Sequence, residues 1–90
     1  MIVLDGGAMR TRAEACAHLR ERLALPAHFG DNLDALYDAL TELPPCVIVL
    51  EHTQRLYGAL GPYAEKLLSV FRDAARENPN IQIQEDIKTF

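Results

Sequence analysis

The chain has 90 residues, 49% of them hydrophobic, and a formal net charge of −4. That length and apolar content fit one small domain spanning residues 1–90 with a real core, and they exclude a disordered segment. No apolar run approaches the roughly 20 residues of a membrane span, and the opening Met-Ile-Val-Leu-Asp lacks the basic lead of a signal peptide, so a cytoplasmic protein with no membrane contact is expected.

In chain order, Ile2–Leu4 reads as a short strand ended by Asp5-Gly6-Gly7. Thr11 and Glu14 have the spacing of a capping box, in which the Thr hydroxyl accepts from a helix N–H and the Glu reaches back. Cys16, Leu19 and Leu23 follow at helical spacing. Pro26 and Gly30 bracket a loop, and Gly30 is expected to take a positive φ before the next helix. Asp31 or Asn32 can cap that helix, and Leu33, Leu36 and Leu40 form its buried stripe.

Pro44-Pro45 stops the helix. Cys46–Leu50 is a continuous apolar run, which predicts a strand covered on both faces, as in a parallel sheet, with Val47–Leu50 the most buried. Thr53–Gly58 is a short helix or turn. Pro62 opens a helix whose apolar set is Tyr63, Leu67, Val70, Phe71 and Ala74, and Asn78-Pro79-Asn80 ends it. Ile81–Gln84 alternates as an edge strand with one wet face. The fold class is therefore α/β: a three-stranded, mostly parallel sheet packed by three to four helices. Cys16 and Cys46 show neither metal-ligand nor redox spacing and read as small buried hydrophobes. His18 and His52 read as structural or exposed, with no functional role.

The charge is uneven. Residues 1–22, 23–54 and 55–90 carry +1, −5 and 0, and the middle segment has no Lys or Arg at all. Its acids are Asp31, Asp34, Asp38, Glu42 and Glu51, and the first three should share one side of a short helix. Such self-repulsion points to a basic partner. It also argues against direct nucleic-acid binding, because the distinctive charge is negative.

The order strand, helix, Leu-Ala-Leu-Pro, two ring residues, Gly-Asp-Asn-Leu-Asp-Ala-Leu-Tyr-Asp-Ala-Leu-Thr, then an apolar strand closing on Leu-Glu, resembles the barstar family. Members are intracellular inhibitors of the ribonuclease barnase. The likeness runs from about residue 2 to residue 84 and includes Val49-Leu50-Glu51 and Val70-Phe71-Arg72-Asp73-Ala74. It implies a basic secreted ribonuclease as partner, immunity to that toxin, no cofactor, no catalysis, and a free monomer. It also implies site roles. Asp38 would be the phosphate-mimicking carboxylate and Asp34 a second inhibitory acid. His28 and Phe29 would be loop aromatics, with His28 packing on the enzyme. Gly30 and Asn32 would offer backbone or amide contacts, Tyr37 a helix aromatic, Thr41 a hydroxyl near the helix end, and Asp73 a peripheral acid. Asp31 and Glu42 belong to the same acidic face, which would steer the partner. The best-known member has Tyr at the position of His28, Trp at those of Tyr37 and Leu43, and Glu at that of Asp73, so the cognate enzyme here need not be barnase-like.

Other readings exist for each feature. The acidic stripe could be a solvated helix face, Asp31 a cap, Tyr37 a core ring beside Leu33 and Leu40, and Asp73 a partner for Arg72 or Arg76. An Mg²⁺ enzyme is a poor fit, because three carboxylates spread along one helix do not converge on an octahedral ion. The rival of another class is a barstar-fold module binding a different basic protein, such as another toxin.

Overall fold

The computed structural model describes residues 1–26, 29–30 and 32–85. The elements are β1 (Ile2–Asp5), a 3₁₀ turn (Gly6–Ala8), α1 (Arg12–Arg22), α2 (Leu33–Thr41), β2 (Cys46–Glu51), α3 (Thr53–Leu60), α4 (Pro62–Glu77) and β3 (Ile81–Glu85). The strands lie in the order β1-β2-β3 and both pairings are parallel. This is the expected α/β fold with a central, most buried β2.

The register sorts the sheet into two faces. Ile2, Leu4, Cys46, Ile48, Leu50, Ile81 and Ile83 share one face, where Ile48 pairs with Ile2 and Ile83, Leu50 with Leu4, and Cys46 with Ile81. There Leu4, Ile48, Leu50 and Ile81 are fully or almost fully buried in the core. On the other face Val3, Val47 and Val49 are only half-buried and Gln82 and Gln84 are exposed. The expectation that β2 would be covered on both sides is therefore corrected. Parallel crossovers share one hand, so a sheet whose strands follow in sequence order collects its helices on one face. An apolar run alone cannot distinguish that case, because Val also suits a half-covered pleated surface.

The helices fill the covered face with Ala15 and Leu19 from α1 and Leu23 just past its end, Leu36 and Leu40 from α2, Leu56 from α3, and Leu67, Leu68, Phe71 and Ala74 from α4. Burying a Leu or Phe side chain contributes about 1.5–3 kcal/mol, so this cluster is the main source of stability. Leu33, Tyr63 and Val70 are half-buried, while Ala64 and Leu68 take core positions that a large-residue pattern overlooks. Tyr63 instead lies under the Arg12 guanidinium, 4.3 Å from ring centroid to Cζ. Cys16 and Cys46 are half-buried free thiols.

Local chemistry sets the boundaries. Thr11 Oγ1 accepts from Glu14 N–H at 3.1 Å, as the capping box requires. The return arm differs: Glu14 accepts from the Arg10 N–H and guanidinium, one residue earlier than expected. Gly61, at φ 57° and ψ −129°, makes the corner between α3 and Pro62 at the start of α4, a conformation open to glycine almost alone. Gly6 is required for another reason: a Cβ there would stand 2.4 Å from the carbonyl oxygen of His52. At the far corner Arg72 donates two hydrogen bonds of 2.8 Å to Glu85, locking α4 to the end of β3.

Candidate functional site

The site is built on α2. Asn32 is its cap, with Oδ1 accepting from Asp34 N–H at 2.9 Å and Ala35 N–H at 3.2 Å. Leu36 and Leu40 anchor the helix in the core and turn Asp34, Asp38 and Glu42 to solvent, where all three are exposed. Spaced four residues apart, they form one ridge. None forms an ion pair among the described residues. His28 and Asp31 lie outside the described residues.

Their positions along α2 are not equivalent. Asp34 lies in the first turn, where a carboxylate is favoured by the helix dipole. Asp38 and Glu42 lie toward the other end, which has no basic residue in its last turn. A negative charge there opposes the dipole, at a cost of about 0.3–1 kcal/mol each when exposed.

Two grooves flank the ridge. One is lined by Arg12, Asn32, Leu33, Asp34, Tyr63 and Lys66, so two cations share its walls with Asp34. The sequence had suggested acids without basic neighbours; at Asp34 the fold qualifies this, because Arg12 of α1 and Lys66 of α4 line the same groove. The other groove, about 500 Å³, runs between α2 and the preceding loop. Its walls are Leu25, Pro26, Phe29, Gly30, Asn32, Ala35, Asp38, Ala39 and Glu42, so its only charges among the described residues are two carboxylates.

The loop is tied down from α1. Phe29 buries its ring, at 9% exposure, and its carbonyl accepts from Arg20 Nη1 at 2.9 Å. Asn32 N–H donates to Gly30 O at 2.8 Å. Gly30 does not take the positive φ expected of it, and a Cβ there would meet nothing within 4 Å. The strained position lies earlier, at Ala24 with φ 55°, where the chain leaves α1. Nothing in the sequence pattern marked Arg20 or Ala24, because both roles depend on how the loop folds back over α1.

Tyr37 and Asp73 join the ridge to α4. Tyr37 is half-buried against the core, and desolvation raises its pKa above the ordinary 10.0, followed in effect by Glu77, Asp73 and Asp38. The acidic surface thus continues from α2 onto α4. Asp73 itself is paired with Arg76 along its own helix. Thr41 Oγ1 donates to Asp38 O at 2.8 Å, so its hydrogen is engaged within α2.

A second polar cluster sits at the carboxyl ends of β1 and β2. Asp5 Oδ1 accepts from Gly7 N–H and lies 2.8 Å from His52 Nδ1, while His18 Nε2 accepts from Asp5 N–H at 3.0 Å. His18 thus ties α1 to the end of β1, and His52 ties the residue after β2 to the Asp5 side chain that caps the 3₁₀ turn. Among the described residues no group of three or more His, Cys, Asp or Glu is placed to hold a metal ion. No helix is long and apolar enough to cross a membrane, again among the described residues.

The candidate site is thus an acid-ridged helix and a tethered loop carried on a one-sided parallel sheet. The barstar model, described as barstar (barnase inhibitor), matches residues 1–88. The chain is also 33% identical over 78 residues to the Bacillus subtilis (strain 168) protein named "Putative ribonuclease inhibitor YrdF", covering 84% of this chain and 86% of that one. The chain belongs to the barstar family.

Proposed function

We propose that this protein inhibits a basic, secreted ribonuclease, acting in the cytoplasm as a monomeric immunity protein that keeps the enzyme inactive before export. It is a binder, with no catalytic role. Asp38 occupies a phosphate subsite of the enzyme, where Arg, Lys or His would otherwise hold RNA. Asp34, Glu42 and Asp31 add to the attraction. Phe29, Gly30, Asn32, Tyr37, Thr41 and His28 form the surrounding contact surface, with Asp73 at its edge.

The observation that supports this most is the placement of Asp38 and Glu42. They stand unpaired among the described residues, on the unfavourable end of a helix, beside a groove with no described cation. Folding gains nothing from that arrangement, whereas a basic partner gains charge-assisted hydrogen bonds from rigid carboxylates.

The test uses barnase as the probe enzyme in an RNA-cleavage assay, with association followed by stopped flow. Inhibition is expected, with association slowing clearly as salt rises and the Debye length contracts to ~8 Å at 0.15 M. Undiminished RNA cleavage at micromolar protein overturns the reading for barnase-type enzymes. An association rate indifferent to salt overturns phosphate mimicry.

A further inference from the structure

We infer that Arg20, on α1 and behind the binding surface, is the positioning residue that presets the loop for its partner; this rests on the inhibitor reading above. Arg20 grips the loop by two separate groups. Its backbone carbonyl accepts from Leu25 N–H at 2.9 Å, and its Nη1 donates to Phe29 O at 2.9 Å. The first bond spans Ala24 in its left-handed conformation, the usual way of ending a helix with a sharp reversal. The second holds Phe29, which lines the acidic groove.

The tether continues beyond Phe29. Gly30 O accepts from Asn32 N–H, and Asn32 Oδ1 accepts from the first-turn amides of α2. Through these bonds one arginine of α1 is connected to the wall of the acidic groove and to the start of the binding helix. Cys16 Sγ, 3.9 Å from both Arg20 Nη1 and Phe29 O, fills the space beneath the same bond. Phe29 contributes its buried ring on one side and its carbonyl on the other, so the backbone at 29–30 is held from two directions. A loop fixed before binding loses less conformational entropy on association.

The charge of Arg20 makes this inference sharply testable. A cation next to an acidic surface repels a basic partner. If Arg20 acted only through its field, removing it would tighten binding. As a positioning residue, its removal weakens binding. The two accounts predict opposite signs.

The experiment compares Arg20→Met, which keeps the aliphatic stem without donors, with Arg20→Lys, which keeps charge and one donor group. In the free protein, amide hydrogen exchange is read at Phe29 and Asn32, with the core amides of α4 as internal reference. Inhibition of barnase is measured in parallel. For Arg20→Met the loop amides should exchange about tenfold faster, and inhibition should weaken by about tenfold, the scale of one hydrogen bond to a charged donor. The α4 amides should not change, which separates positioning from general destabilisation. Arg20→Lys should recover part of both losses. Unchanged loop exchange, or tighter inhibition by Arg20→Met, overturns the inference. If Arg20→Met does not fold, loop exchange in Arg20→Lys decides by itself: faster than the parent supports the tether, equal to it refutes it. Because exchange is read without partner, failure of the parent to inhibit barnase counts against the inhibitor reading and leaves the loop result standing.

Discussion

Asn78, at the end of α4, reaches into the end of α2: its Nδ2 donates to Leu40 O at 3.1 Å and to Leu43 O at 3.0 Å. A Lys or Arg is favoured beside the last carbonyls of a helix and can bond to them. Here a neutral amide does the capping, so the end of α2 is satisfied without placing a cation beside Asp38 and Glu42.

Asn78 is buried at 5% exposure, and its Oδ1 also accepts from Asn80 N–H. Asn78→Ala leaves two carbonyls and one amide without these partners. A loss of about 1–3 kcal/mol is expected for stranding buried polar groups. Urea unfolding measures it, and a midpoint equal to the parent's would show that water replaces the amide at no cost.

Ala24 gives the opposite sign. It is exposed and sits at φ 55°, a region that L-residues enter at a cost and glycine does not. Ala24→Gly should stabilise the fold by up to about 1 kcal/mol, after allowing for the extra freedom glycine gains when unfolded. A fall in the thermal midpoint would mean that the helix end is held by something other than this turn.

The histidine cluster makes stability depend on pH. Burial first, then Arg22, pushes the His18 pKa below its ordinary 6.5, while Asp5 and Glu21 oppose the shift. The unfolded chain therefore binds more protons just below that pH. The His18 contribution is fully present above about pH 6.5 and is lost as pH falls through the lower folded pKa. Asp5 behaves likewise further down. Its pKa is lowered from 3.8 chiefly by the hydrogen bond to His52, then by Gly7 N–H, so its share is lost only on acidification below that value. Thermal midpoints taken across this range should fall with acidification. His18→Gln, which keeps an acceptor without a proton to gain, should remove the upper step. A midpoint that rises from neutral pH to about 5 would contradict the assignment.

Much of this was legible in the residues. Pro44-Pro45, Pro62, Asn78-Pro79, the leucine stripe of α2 and the apolar set of α4 marked where these helices begin, end and face, because capping and periodicity are local. The ordering of the acids on α2 was legible for the same reason. Contacts between elements were not. That Arg12 and Lys66 line a groove with Asp34, that Arg20 holds Phe29 O, and that Asn78 caps α2 all depend on where α1 and α4 pack. The half-open sheet was hidden too, since Val47 and Val49 look the same whether a helix covers them or not.

The difference between Asp34 and Asp38 leads to the sharpest expectation. Asp34 shares its groove with Arg12 and Lys66 and lies at the favourable end of the dipole, so its field is partly offset. Asp38 shares its groove with Glu42 and no described cation. Asp38→Ala should therefore lose the most partner affinity, on the order of 2–5 kcal/mol, a range for truncated buried charge pairs to which this family's own complexes contribute. Much of that loss is the enzyme's basic cluster left buried without a counter-charge. Asp34→Ala should cost less, and Asp73→Ala least, being already paired with Arg76. The free protein should respond the other way. Asp38 is exposed, opens no cavity when truncated, and opposes the dipole, so Asp38→Ala should unfold at the parent's midpoint or slightly above it. Inhibition constants against barnase and thermal unfolding of each free variant are measured together. A variant that inhibits like the parent would exclude Asp38 from the phosphate-mimic role. One that unfolds several degrees early would make this aspartate a structural residue instead.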